Sequence, residues 1–258
     1  MENTQIQSHS LTWSLPPAVL ELEPHQVDIW RVCLDLPVDS MTGVAVLEST
    51  LSEDESQRAA RFHFPTDRDR FIAAHGALRD ILSRYLHLDP RQLSFSTNAY
   101  SKPSLSEVSA EGGLDFNLSH SRDFALIAVT RDRQVGVDIE YIREEIFIEE
   151  IARRFFSERE VSELLTLPPE QQEVAFFHCW TRKEAYIKAH GLGLSLPLDS
   201  FDVSLAPGEL AILRATRPDP HEALRWTLKH LEVQPGYAAA VAVEGEDLEF
   251  RFWDWNKL

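Results

Sequence analysis

Residues 27–130 follow an order of elements that residues 135–243 follow again. VDIWRVCL (27–34) and VGVDIEYI (135–142) carry the apolar spacing of strands. A Ser-x-x-Glu start comes next in each half, SEDE at 52–55 and SERE at 157–160. There Ser accepts a free amide of the first helical turn and Glu reaches back, so both predict a helix beginning. Long helical stretches follow at 67–86 and 173–190. After them LDPRQLSF (88–95) answers LDSFDVSL (198–205), and RDFALIAVT (122–130) answers PGYAAAVAV (235–243). From first strand to Leu-Asp element the two halves take 61 and 63 residues, and to Phe124 and Tyr237 they take 97 and 102. Agreement at four points in one order predicts an α+β fold of two similar α/β subdomains. They are expected to be related by a pseudo-twofold axis, with a ligand cleft between them. The expected division is an arm over 1–26, an N-terminal subdomain over 27–130 and a C-terminal subdomain over 131–258, with RDRQ (131–134) as the junction.

Charge narrows the partners. A formal net charge of −17 argues against a nucleic-acid binder, which needs a basic footprint. No apolar run approaches the ~20 residues of a membrane helix, and MENTQIQSHS is no signal peptide. Cys33 and Cys179 stand alone without zinc spacing and read as reduced, buried thiols, so the expected compartment is the cytoplasm. Residues 58–91 nevertheless hold seven arginines against four aspartates. That is either a solvated helix face of mixed charge or a local anion site.

Three stretches can carry chemistry. In GVDIE (136–140) the strand period puts Asp138 and Glu140 on one face, roughly 7 Å apart. They are either simply exposed to water or hold a divalent cation; oxygen ligands without His or Cys favour Mg²⁺ or Mn²⁺. In WTRKEAYIKAHGLGL (180–194), Trp180, Glu184 and Lys188 share a helix face. Glu184 and Lys188 are an ordinary exposed pair, or Glu184 joins the strand carboxylates on the cation while Lys188 faces phosphates. FNLSHSRD (116–123), read as a loop before a strand, offers donors suited to phosphate, Ser119 and His120 among them. Arg58, Arg70 and Lys102 give the first half cations where the second holds carboxylates, an asymmetry that suits a polyphosphate. No GxSxG, HExxH, GxGxxG or Walker motif is present.

FNLSHS (116–121), GVDIE, RRFFSERE (153–160) and WTRKEAYIKAHGLGL, in that order, resemble the Sfp-type 4′-phosphopantetheinyl transferase family over about residues 29–243. The resemblance implies that family's fold, two similar α/β subdomains with coenzyme A in the cleft, and an enzyme. The reaction implied is Mg²⁺-dependent transfer of the phosphopantetheine arm from coenzyme A to a serine hydroxyl of an acyl or peptidyl carrier protein, releasing 3′,5′-adenosine diphosphate. It implies Asp138, Glu140 and Glu184 as metal ligands, Glu184 also as general base, and Lys188 as the cation on the reacting phosphate. Ser119 and His120 match the loop at the coenzyme A phosphates, Lys102 a lysine near the nucleotide, and Arg58, with Arg70 less regularly, the 3′-phosphate. A monomer is expected. Ser101 departs from the family, which often has Gly before Lys-Pro; residues 1–26 and the ending FWDWNKL match none of its features. Two other readings are weighed: a Mg²⁺-dependent coenzyme A or nucleotide pyrophosphate hydrolase, which the residue types alone permit, and an inactive coenzyme A- or carrier-binding module, against which the complete set Asp138, Glu140, Glu184 and Lys188 speaks.

Overall fold

A computed structural model describes residues 12–36, 43–100, 102–106, 113–143, 147–217 and 219–258. Ser101 and the first eleven residues of the expected arm lie outside the described residues. The first half runs β1 (Gln26–Cys33), α1 (Val44–Glu48), α2 (Glu53–Ala59), α3 (Pro65–Leu86), β2 (Phe95–Thr97), β3 (Pro103–Leu105), β4 (Leu114–Ser121) and β5 (Phe124–Arg131). The second runs β6 (Val135–Tyr141), α4 (Ile148–Phe155), α5 (Glu158–Thr166), α6 (Pro169–His190), β7 (Phe201–Val203), β8 (Leu213–Thr216), β9 (Trp226–His230) and β10 (Tyr237–Glu244), and β11 (Glu249–Asp254) follows.

The repeated order is also a repeated topology. One sheet is ordered β11-β1-β5-β4 and another β6-β10-β9, so β1-β5-β4 recurs as β6-β10-β9; the pair β2-β3 recurs as β7-β8. Both predicted capping boxes form, with Glu55 N donating to Ser52 Oγ at 3.3 Å and Glu160 N to Ser157 Oγ at 3.2 Å. Each box ends in the same buried clasp. Arg79 of α3 pairs with Glu55 at 2.7 Å and donates to the carbonyls of Pro90 and Leu93. Lys183 of α6 pairs with Glu160 at 2.8 Å and donates to the carbonyls of Leu198 and Phe201. A buried cation is tolerable because its donors meet a carboxylate and carbonyls together.

The central strand of each three-stranded unit is buried on both faces. In β5, Ala125, Ile127 and Val129 pack under α3, while Leu126 and Ala128 join a shared layer between the halves. In β10, Ala238, Ala240 and Ala242 pack under α6, while Ala239, Val241 and Val243 enter that same shared layer. Burial on both faces accounts for the unbroken apolar runs read in the sequence.

Two segments depart from expectation. FNLSHS is not a loop: it lies in β4, joined to β5 by a two-residue turn at Arg122 and Asp123, with Arg122 at φ 48°. The ending FWDWNKL leaves the second half altogether. β11 pairs in parallel with β1 from Gln26↔Glu249 to Arg31↔Asp254. Trp255 is buried in the first core and its indole Nε1 donates to Asp80 Oδ2 at 2.8 Å. Ser14 bridges to Trp253, and Lys257 donates to the Trp13 carbonyl. No helix among the described residues is long and apolar enough to cross a membrane.

Candidate active site

The site is built where β6 passes between α6 and β4. Val135, Val137 and Ile139 point into the shared layer, which leaves Gly136, Asp138 and Glu140 on the other face. A Cβ on Gly136 would stand 2.2 Å from the Ala185 carbonyl oxygen and 2.3 Å from the Ala189 amide nitrogen. Glycine therefore lets the α6 backbone rest directly on the strand, and the next residue on that face, Asp138, falls beside the helix side chains. Lys188 Nζ donates to Asp138 Oδ1 at 2.6 Å and to Ser119 Oγ at 3.0 Å, and Ser119 Oγ donates to the same Asp138 oxygen at 2.9 Å. Asp138 Oδ2 is buried with no hydrogen-bond partner. Glu140 accepts from Ser121 Oγ at 3.1 Å.

The carboxylates strain against one another. Burial, then the charges of Asp138 and Glu140, push Glu184 up to about 7, against only the opposing pull of Lys188. Burial and Asp138 likewise raise Glu140. A divalent cation fits this donor set: hard oxygens, an orphaned buried oxygen, and charge that protein alone leaves uncompensated. The side chains are not closed into a cage, for among the described residues no group of three or more His, Cys, Asp or Glu is arranged to hold a metal ion.

The expected cations divide between two places. His120, on β4 opposite in direction to Ser119, is held below the usual imidazole value by desolvation of its ring and then by His75, Lys188, Arg58 and Arg70. Arg58 is exposed and lies over the Phe71 ring, on which His75 stacks; Arg70 pairs with Asp123 at the β4–β5 turn. His75 went unread because a lone histidine inside a helix carries no pattern. Lys102 is elsewhere and already committed: its ammonium donates to Asp115 Oδ2 and to the carbonyls of Val135 and Ala189 at 3.1–3.2 Å. It straps the first half to the end of α6 and lines a cavity of about 290 Å³ with Tyr100, Pro103, Ile187, Glu184 and Lys188. Trp180 points away from the carboxylates into an aromatic group with Phe155, Phe156 and Phe176.

Two halves of one repeated topology meet at a cluster of carboxylates beside Lys188, and comparison with known proteins gives the class of protein. Residues 134–242 match the model of the 4′-phosphopantetheinyl transferase superfamily, and residues 39–132 that of the 4′-phosphopantetheinyl transferase N-terminal region. The chain is 42% identical over 244 residues to the 4′-phosphopantetheinyl transferase HetI of Nostoc sp., covering 95% of this chain and 98% of that one. It is 34% identical over 220 residues to the 4′-phosphopantetheinyl transferase Sfp of Bacillus subtilis, covering 85% and 93%. Against the human L-aminoadipate-semialdehyde dehydrogenase-phosphopantetheinyl transferase it is 26% identical over 213 residues, covering 77% and 68%. The chain belongs to the 4′-phosphopantetheinyl transferase family and is an enzyme of that class.

Proposed function

We propose that this enzyme moves the 4′-phosphopantetheine arm of coenzyme A onto a serine hydroxyl of an acyl or peptidyl carrier protein. The serine oxygen forms a bond to the phosphorus that bears the pantetheine arm, and the bond from that phosphorus to the bridging oxygen breaks. 3′,5′-Adenosine diphosphate leaves. The observation that carries the reading is the charge-frustrated trio Asp138, Glu140 and Glu184 beside Lys188, with Asp138 Oδ2 buried and unpartnered. These three carboxylates would hold Mg²⁺ (or Mn²⁺), which supplies charge neutralisation on the pyrophosphate when bound. Phosphoryl transfer asks mainly for positioning and for cations at the developing charge.

The protein's own groups divide that work. Lys188 reaches the reacting phosphate from its seat on Asp138 and Ser119. Glu184 accepts the serine proton, directly or through a water. His120, Arg58 and Arg70 serve the phosphates at the nucleotide end. Lys102, with its donors engaged, acts as a strut that fixes the cavity wall near the nucleotide. The two halves are taken as subdomains about a pseudo-twofold axis, and the enzyme as a cytoplasmic monomer.

The test is to incubate the protein with apo carrier proteins, coenzyme A and Mg²⁺ and to read intact carrier mass, with EDTA as control. A gain of one phosphopantetheine unit that EDTA abolishes supports the reading. Coenzyme A cleavage without carrier labelling would replace it with the hydrolase, and coenzyme A binding without turnover with the binding module.

A further inference from the structure

β4 and β6 run side by side yet belong to different sheets and share no backbone ladder. What joins them is a row of side chains on one strand meeting amides on the other. Asp115 Oδ2 accepts from Val135 N at 3.1 Å, Asn117 Oδ1 from Val137 N at 2.9 Å, and Ser121 Oγ from Tyr141 N at 3.0 Å. The three pairs are each twenty residues apart. The same count sets Ser119 opposite Ile139. Its hydroxyl turns instead to Asp138 and takes the Lys188 ammonium. So the alternate residues 115, 117, 119 and 121 form a seam in which one tooth faces the reaction site and its neighbours hold the register.

The spacing matters as much as the register. A direct ladder would draw the strands to about 4.8 Å and leave no room between them for the Ser119 hydroxyl and Lys188. Side-chain acceptors hold the strands farther apart while still satisfying the amides of β6. A slip by one residue would turn Asp138 and Glu140 into the shared apolar layer and put valine and isoleucine beside Lys188. Ser121 has a second duty, since the oxygen that accepts Tyr141 N also donates its proton to Glu140.

We propose that Asp115, Asn117 and Ser121 are positioning residues of the transfer reaction, a side-chain seam that sets Asp138 and Glu140 against Ser119 and Lys188 across the two halves. This rests on the phosphopantetheinyl transfer reading of the site. Ser121 gives the cleanest test because it lies beside the metal-ligand candidates without being one. Ser121→Ala loses both hydrogen bonds; Ser121→Thr keeps the hydroxyl. Three things are measured: kcat and KM for coenzyme A with a carrier protein, melting temperature, and calorimetric titration of Mg²⁺ into the coenzyme A complex. For Ser121→Ala the expectation is a kcat lower by about tenfold, the scale of one or two lost hydrogen bonds. KM for coenzyme A stays within about twofold, Mg²⁺ binds more weakly, and Ser121→Thr restores both kcat and Mg²⁺ binding.

A kcat and a Mg²⁺ titration both unchanged in Ser121→Ala would overturn the proposal, as would a threonine variant that falls as far as alanine. If Ser121→Ala does not fold, the ordering wild type, Asn117→Ser, Asn117→Ala in kcat and Mg²⁺ binding carries the same expectation; equal values for the two variants would refute it. If the wild type labels no carrier, the transfer reading fails by itself. The Mg²⁺ titrations of wild type, Ser121→Ala and Ser121→Thr still decide whether the seam positions the carboxylates.

Discussion

Replacing Glu184 by glutamine is expected to destroy transfer and, at the same time, to stabilise the metal-free protein. Glu184 is half-buried on α6, and its carboxyl is lifted from 4.5 to about 7 by burial and by Asp138 and Glu140. At about 1.36 kcal/mol per pH unit, ionising it in the fold costs at most about 3 kcal/mol more than in the unfolded chain. The sign follows from the raised value. Below pH 4.5 the group is neutral in both states and costs nothing. Between 4.5 and 7 the unfolded chain gives up its proton first and stability falls; above 7 the loss is complete. Glutamine has the same shape and no charge to bury, so Glu184→Gln escapes the cost. In EDTA at pH 8 the variant should melt higher by up to about 6–12 °C, given about 2–4 °C per kcal/mol for chains of this size. At pH 4.5 the two melting curves should coincide, and Mg²⁺ with coenzyme A should narrow the gap at pH 8 by stabilising the wild type more than the variant. Equal melting temperatures at pH 8, or a gap that widens on acidification, would refute the charge-frustration argument. Carrier labelling by Glu184→Gln at nearly the wild-type rate would refute its place in the chemistry.

Further outcomes follow from other contacts. Lys188→Met strips Asp138 of its 2.6 Å ion pair, so kcat should fall by about 10²–10³-fold while circular dichroism stays native. His178 and His230 lie ring to ring and are held by burial near about 3 and about 4, well below the ordinary 6.5. The unfolded chain therefore takes up protons that the fold refuses, and denaturant midpoints should drop as pH falls from 6.5 towards 4. His230→Asn should flatten that slope. Cys179 is fully buried with its thiol raised by burial, whereas Cys33 is half-buried. A thiol reagent should therefore label Cys33 in the native enzyme and Cys179 only in denaturant, readable by peptide mass.

Much of the fold was legible because its signals are local. SEDE and SERE announce their helices through contacts three residues apart, and both boxes form as read. The duplicated order was legible for the same reason, since it is carried by element types rather than by distant pairs. FNLSHS misled because its polar residues, ordinarily a loop signal, are acceptors for a neighbouring strand; period-two polarity at 115, 117, 119 and 121 was the clue. β11 was illegible because its partner lies 223 residues away, and the alternation in FRFWDW says strand without saying whose. At the site, the two strand carboxylates, Glu184 and Lys188 could be placed together from spacing and resemblance. That Lys102 spends its donors on a carboxylate and two carbonyls could not, because those acceptors come from three different elements.

The last strand of the chain has one more consequence. Duplicated halves invite the idea that each could be produced alone as a minimal domain. A fragment ending at residue 130 would retain β1, α3 and β5 but lack Trp255 and the strand that covers the edge of β1, exposing apolar ladder and a hole over Asp80. A fragment beginning at 131 would carry that strand with no sheet to receive it. Each piece should be insoluble or partly unfolded by itself. Mixed, they should find each other through the missing strand, so that splitting the gene at the junction yields complementing fragments rather than two domains.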